Sequence, residues 1–101
     1  MLFTMTPQKS QIPREEAEIL AISALGFLAS ESERLQRFID LSGLDLAAIR
    51  SGATNSAFLG GILDHLLADE SLLLVFAEER QIRPERIAQL RRKLPGASLD
   101  F

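Results

Sequence analysis

The stretch EILAISALGFLAS, residues 18–30, decides the fold, because beyond Glu18 it carries no charge for twelve residues. Projected at roughly 100° per residue, Leu20, Ala24, Phe27 and Leu28 fall on one side of a helix and Ile19, Ile22 and Leu25 on the other, so the helix is apolar nearly all round. Such a helix is expected to be the spine that the rest of the chain wraps. The run is shorter than the ~20 apolar residues that a bilayer crossing takes, so no span and no membrane partner are expected. Gly26 lies on the second side and is expected to admit a neighbouring backbone, despite costing ~1 kcal/mol relative to Ala.

Toward the N-terminus, Pro13 marks the first turn of this helix, and Glu15, Glu16 and Glu18 are placed to meet the positive end of its dipole. Residues 1–12 mix Pro, Thr, Ser and Gln without helical periodicity and are expected to be a poorly ordered arm. Residues 1–14 also lack the apolar stretch of a signal peptide, so export is not expected.

Toward the C-terminus the punctuation is regular. Ser30 with Glu33 reads as a capping box opening a second helix, with Leu35, Phe38, Ile39 and Leu41 on its buried stripe and a Glu33–Arg37 pair outside. Gly43 supplies a left-handed stop onto which Leu44 folds back. Asp45 caps a short third helix through about Ser51 that buries Leu46 and Ile49. A fourth starts near Asn55 or Ser56 with Phe58, Leu59, Ile62, Leu63, Leu66 and Leu67 on one broad face. Residues 69–71 turn into a fifth helix from Leu72 to about Gln81, striped by Leu72, Leu73, Phe76 and Ala77, with Leu74 and Val75 toward its edges. The sixth begins at Pro84, carries Ile87, Leu90 and Leu94, and stops at Pro95-Gly96.

The expectation is an all-α, compact orthogonal bundle of about six short helices around an apolar first helix. It occupies residues 13–96, with a tail at 97–101. A chain of 101 residues that is 47% apolar and 25% charged suffices for one such core without staples. Cys is absent, which removes thiolate zinc sites, iron–sulfur clusters and cysteine nucleophiles together. A reducing cytoplasm fits this composition.

Groups capable of chemistry are sparse. The single His, His65, has Asp69 four residues on, a spacing that can set imidazole beside carboxylate, yet no second His or Cys completes a metal set. A histidine packed at the margin of the apolar face is the better reading, and an enzyme built around it is the weaker one. Ser51 and Ser56 lack a nucleophile elbow, and Gly60-Gly61 follows no strand, so close helix packing explains the glycines. No catalytic, metal or cofactor-binding residues are assigned, and neither enzymatic activity nor a cofactor is expected.

Charge is uneven. Residues 1–79 hold five cations and twelve anions, net -7, whereas residues 80–101 hold six cations and two anions, net +4. The candidates for contact with a partner or anion are Arg50, Arg80, Arg83, Arg86, Arg92 and Lys93. On the sixth helix Arg86 and Lys93 project to one flank, Arg92 lies well away, and Arg91 borders the apolar stripe, so the cations do not make one face. They complement the helix dipole and can pair with the acidic body. Arg80 interrupts an apolar side, where a stem lying along the surface with its guanidinium at the edge, or a salt bridge within the domain, is favoured over a docked anion or partner carboxylate, and Arg50 has the same two readings.

Four blocks in order, AISALGFLA at 21–29, RFIDLSGLDLAAIR at 37–50, FLGGILDHLLADESLL at 58–73 and FAEERQIRPERI at 76–87, resemble the bacterial proteins grouped as domain of unknown function 3572. The likeness spans about residues 17–96. It implies a small all-helical protein of bacteria, chiefly alphaproteobacteria, with no reaction, cofactor or site residues. The leading functional expectation is a non-enzymatic cytoplasmic protein-interaction module that holds another protein or itself as a homodimer, because wide apolar stripes on short helices leave surface uncovered. The alternative is a nucleic-acid accessory protein using the basic C-terminal helix.

Overall fold

A computed structural model describes residues 11–43, 47, 50, 51 and 55–96. Among them the chain is all-α, with five helices and no strand: α1 Gln11–Ala29, α2 Ser32–Ser42, α3 Ser56–Leu67, α4 Glu70–Arg80 and α5 Pro84–Arg91. The expected helix at residues 45–51, with its Asp45 cap and its Leu46 and Ile49 core positions, lies mostly outside the described residues. Ala47, Arg50 and Ser51 are helical.

The long first helix is the hub, packing against α2, α3 and α5, while α3, α4 and α5 pack on one another. Its inner face carries Ala17, Ala21 and Ala24, all fully buried, between Leu20, Phe27 and Leu28. Alanines at this spacing remove side-chain bulk along one stripe, so the neighbouring helices come close there. Gly26 does not serve that purpose: a Cβ built on it meets nothing within 4 Å. The expectation that α1 is sheathed all round is corrected as well, since Ile19 is 67% exposed and Ile22 51%. Short helices packed on one stripe of a longer one cannot also reach its back.

Local signals explain the helix ends, with several shifts from the sequence reading. Helix α1 begins at Gln11, ahead of Pro13, so its carboxylates sit beyond the first turn. They bond outward instead: Glu18 Oε2 accepts from Ser56 Oγ at 2.9 Å and Glu16 Oε1 from Arg86 Nη2 at 2.7 Å. Ser30 does not cap α2. Its hydroxyl donates back to the Phe27 carbonyl at 2.7 Å, completing the last turn of α1, and Glu31 takes the N-cap position without a side-chain bond. Arg37 lies 3.9 Å from Asp69 Oδ2 rather than against Glu33. Leu41, expected in the buried stripe, is exposed because the end of α2 overruns the core.

The Gly43 stop and the start near Asn55 follow the sequence, whereas the helix expected from Leu72 begins two residues earlier. Gly43 stops α2 at φ 75°, its N–H donating to the Ile39 carbonyl. Asn55 Oδ1 accepts from the Ala57 and Phe58 amides, and Asp69 Oδ1 from the Leu72 amide, so α4 starts at Glu70. Helix α4 ends on Gln81 at φ 54°, with the Ile82 amide bonded to the Ala77 carbonyl and the Gln81 amide to Glu78. This is a Schellman turn with glutamine in the left-handed position usually held by glycine. It turns Ile82 back against the end of α4.

Candidate functional site

That turn sets the floor of an apolar concavity. Ile82 lies between two shallow hollows: one is walled by Ile19, Ser23 and Arg80 over Leu20 and Leu90, the other by Leu74, Glu78, Gln81 and Arg83. They share Ile82 and make a groove divided at that residue, one half at the open back of α1 and the other across the α4–α5 turn beside Leu74, which is 49% exposed. Arg80 stands at its rim, exposed, with Cζ 5.8 Å from the centre of the Phe76 ring. That places the guanidinium over the ring at the outer limit of a cation–π contact. Arg83, the N-cap residue of α5, is exposed at the other side. Among the described residues neither has a carboxylate within ion-pair distance.

The other candidate cations are distributed differently. Arg86 is held by Glu16 and reaches Gln89 at 3.4 Å. Arg92 does not lie apart from Lys93: both border a shallow hollow with Pro13, Arg86 and Gln89, because the chain tightens into turns after Arg91 and the straight-helix projection no longer holds there. Arg50 is exposed and lines none of these hollows. The structure thus divides the six candidates among separate places.

The cation that matters most to packing is one the sequence reading left aside. Arg91 is 6% exposed. Its Nε and Nη2 donate to the two carboxylate oxygens of Asp64 at 2.6 and 3.0 Å, and its Nη1 donates to the carbonyls of Leu94 and Pro95 at 3.2 and 3.1 Å. Gly60, one turn before Asp64 on α3, makes the room: a Cβ there would stand 2.6 Å from Arg91 Nη1 and 3.0 Å from the Pro95 carbonyl. The expected close packing at Gly60-Gly61 therefore belongs to Gly60, and Gly61 is open. Spacing held a clue, since Ile87, Leu90, Arg91 and Leu94 share one helical stripe. Which carboxylate Arg91 would meet depends on how α3 crosses α5.

His65 packs edge-on to Phe38, ring centres 5.0 Å apart, and its Nε2 is buried without a hydrogen-bond partner. Burial pushes its pKa below the usual 6.5; nearby Asp69 opposes that shift and Arg37 adds to it. The unfolded imidazole takes up a proton near 6.5 and the folded one only at lower pH, so His65 costs no stability above 6.5 and destabilises progressively as the pH falls through that window. Urea unfolding between about pH 7 and 5 is expected to show this decline, and His65→Leu is expected to flatten it. Parallel curves for the two proteins would refute the assignment.

Among the described residues, no group of three or more His, Asp or Glu is placed to hold a metal ion, and no helix is long and apolar enough to cross a membrane. No curated protein and no solved structure matches the chain. The family model for "Protein of unknown function (DUF3572)" matches residues 14–97, nearly all of the helical body just described, and the chain belongs to that family.

Proposed function

We propose that this chain is a small non-enzymatic interaction module of the bacterial cytoplasm, holding another protein against the groove that α1, α4 and the α4–α5 turn leave open. One observation carries the reading: Ile19 and Leu74 stay exposed on the two hollows that share the half-buried Ile82, with charged residues around them, and Ile22 is exposed one turn beyond Ile19 on α1. Apolar surface rimmed by polar groups is the usual form of an interaction site. Aliphatic side chains line most of the groove, with Ser23, Gln81, Glu16, Glu78, Arg80 and Arg83 among them, a lining suited to holding a partner. A cysteine-free chain suits a reducing compartment. A homodimer is the self-paired form of the same reading, and light scattering after size exclusion reports it.

Affinity capture from the native cell tests the role. The tagged wild type is expected to retain a protein that the Ile19→Asp/Ile22→Asp double variant loses, with the far-UV circular dichroism of the two chains alike because both positions are on the surface. Equal retention by both chains, or recovery of nucleic acid alone, defeats the reading.

A further inference from the structure

A second place on the molecule carries charge that its own residues leave unanswered. We propose that the hollow between the start of α1 and the end of α5 binds a phosphate monoester, held by Arg92 and Lys93 with Arg86 and Gln89 beside them. This hollow shares no lining residue with the two at Ile82, so the site goes beyond the interaction role and does not depend on it.

Pro13 lines the hollow from α1, and the four polar side chains line it from α5 and the turns that follow. Cations at this end of a helix often serve its last carbonyls. Here other donors already do so. The Gln89, Leu90 and Arg91 carbonyls accept from the Arg92, Lys93 and Leu94 amides at 3.2, 2.9 and 3.1 Å, while the Arg91 guanidinium takes the carbonyls of Leu94 and Pro95. Arg92 and Lys93 are both exposed, and among the described residues their side chains have no ion-pair or hydrogen-bond partner. The helix dipole attracts cations to this end but leaves their donors unfilled.

Charge selects the ligand. Three cations border the hollow and one carboxylate, Glu16, takes up Arg86 at 2.7 Å, so two positive charges stay open. Glu85, one turn before Gln89, does not line the hollow and among the described residues has no cation within ion-pair distance. A carboxylate would answer one of the two charges. A phosphate monoester carries about -1.5 to -2 at pH 7 and three acceptor oxygens, enough for the Arg92 fork and the Lys93 ammonium together. The diesters of a nucleic acid instead carry one charge each in a repeating row, whereas these cations cluster at one corner of a chain of net charge -3. A free small compound and a phosphorylated side chain of another protein both present the required terminal group.

The test is titration of the nitrogen-15-labelled full chain at roughly 150 mM salt, followed by the NMR signals of arginine Nε–H groups and backbone amides. The probes are glycerol phosphate, a peptide pool with a central phosphoserine and degenerate flanks, the same pool with Glu in its place, and a duplex oligonucleotide. Glycerol phosphate and the phosphopeptides are expected to shift the signals of Arg86, Arg92 and Lys93 saturably, with Kd below about 10 mM. The exposed pair Arg92→Ser/Lys93→Ser is expected to weaken both at least about tenfold, while Arg83→Ser, outside the hollow, leaves both unchanged. Tighter binding of the phosphopeptides than of glycerol phosphate assigns the group to a partner protein, and the reverse assigns it to a free compound. No saturable shift, shifts as large at Arg83, equal binding of the Glu pool, or tighter binding of the duplex through the same residues would each overturn the proposal.

Discussion

Phe76→Ala is expected to be the most damaging single substitution among the described residues, lowering unfolding free energy by about 4 kcal/mol. The side chain is fully buried, and its ring lies 5.1 Å from that of Phe27 in a tilted pair. Truncation removes the transfer free energy of a benzyl group, leaves a cavity in the core, and ends an aromatic contact. It also strips the surface over which Arg80 lies, so the groove rim loosens with the core. Domains of this size have about 5–15 kcal/mol in total, so the variant is expected to unfold at least about 15 °C below the wild type. Phe76→Leu, which refills most of the volume, is expected to recover more than half of the loss. Calorimetry and urea melts of the two variants check this, and a loss under about 2 kcal/mol for Phe76→Ala would show that the core collapses around the gap.

The second large effect concerns Arg91, where the expected loss on replacement by Ala is about 3 kcal/mol. Breaking a buried ion pair usually costs most through the charge left behind, but Asp64 is 57% exposed and water reclaims it. The greater part of the loss comes from elsewhere: the Leu94 and Pro95 carbonyls lose their donor, and the packed guanidinium leaves a gap between α3 and the turns after α5. Asp64→Asn is therefore expected to cost less, about 1 kcal/mol. Gly60→Ala supplies an internal check. It is expected to destabilise the wild type, where the new methyl meets the guanidinium, and to do so much less in an Arg91→Ala background, where the space is vacant. Additive effects of the two substitutions would contradict this packing.

These two sites mark the boundary of what the sequence disclosed. Phe76 is legible from periodicity alone, because Leu72, Leu73, Phe76 and Ala77 fall on one stripe and a stripe of that kind must be covered. The Asn55, Asp69 and Gly43 caps are legible for an equally local reason: each satisfies backbone groups within four residues of itself. The Arg91–Asp64 pair spans twenty-seven residues and follows only from how α3 crosses α5. The groove is intermediate. Its walls were visible as apolar positions at the edges of stripes, but which side of α1 stays open depends on the placement of its neighbours. The Ala17, Ala21 and Ala24 stripe held that answer, since small residues mark where a neighbour comes near, whereas Gly26 pointed to the wrong side.

Helix α1 closes against α5, and Glu16 meets Arg86 across seventy residues of chain. During translation the first helix therefore emerges before α5, and its apolar side has no cover from α5 until residues 84–91 have followed it. In that interval the incompletely covered segment shares the exposure to aggregation of any partly folded chain.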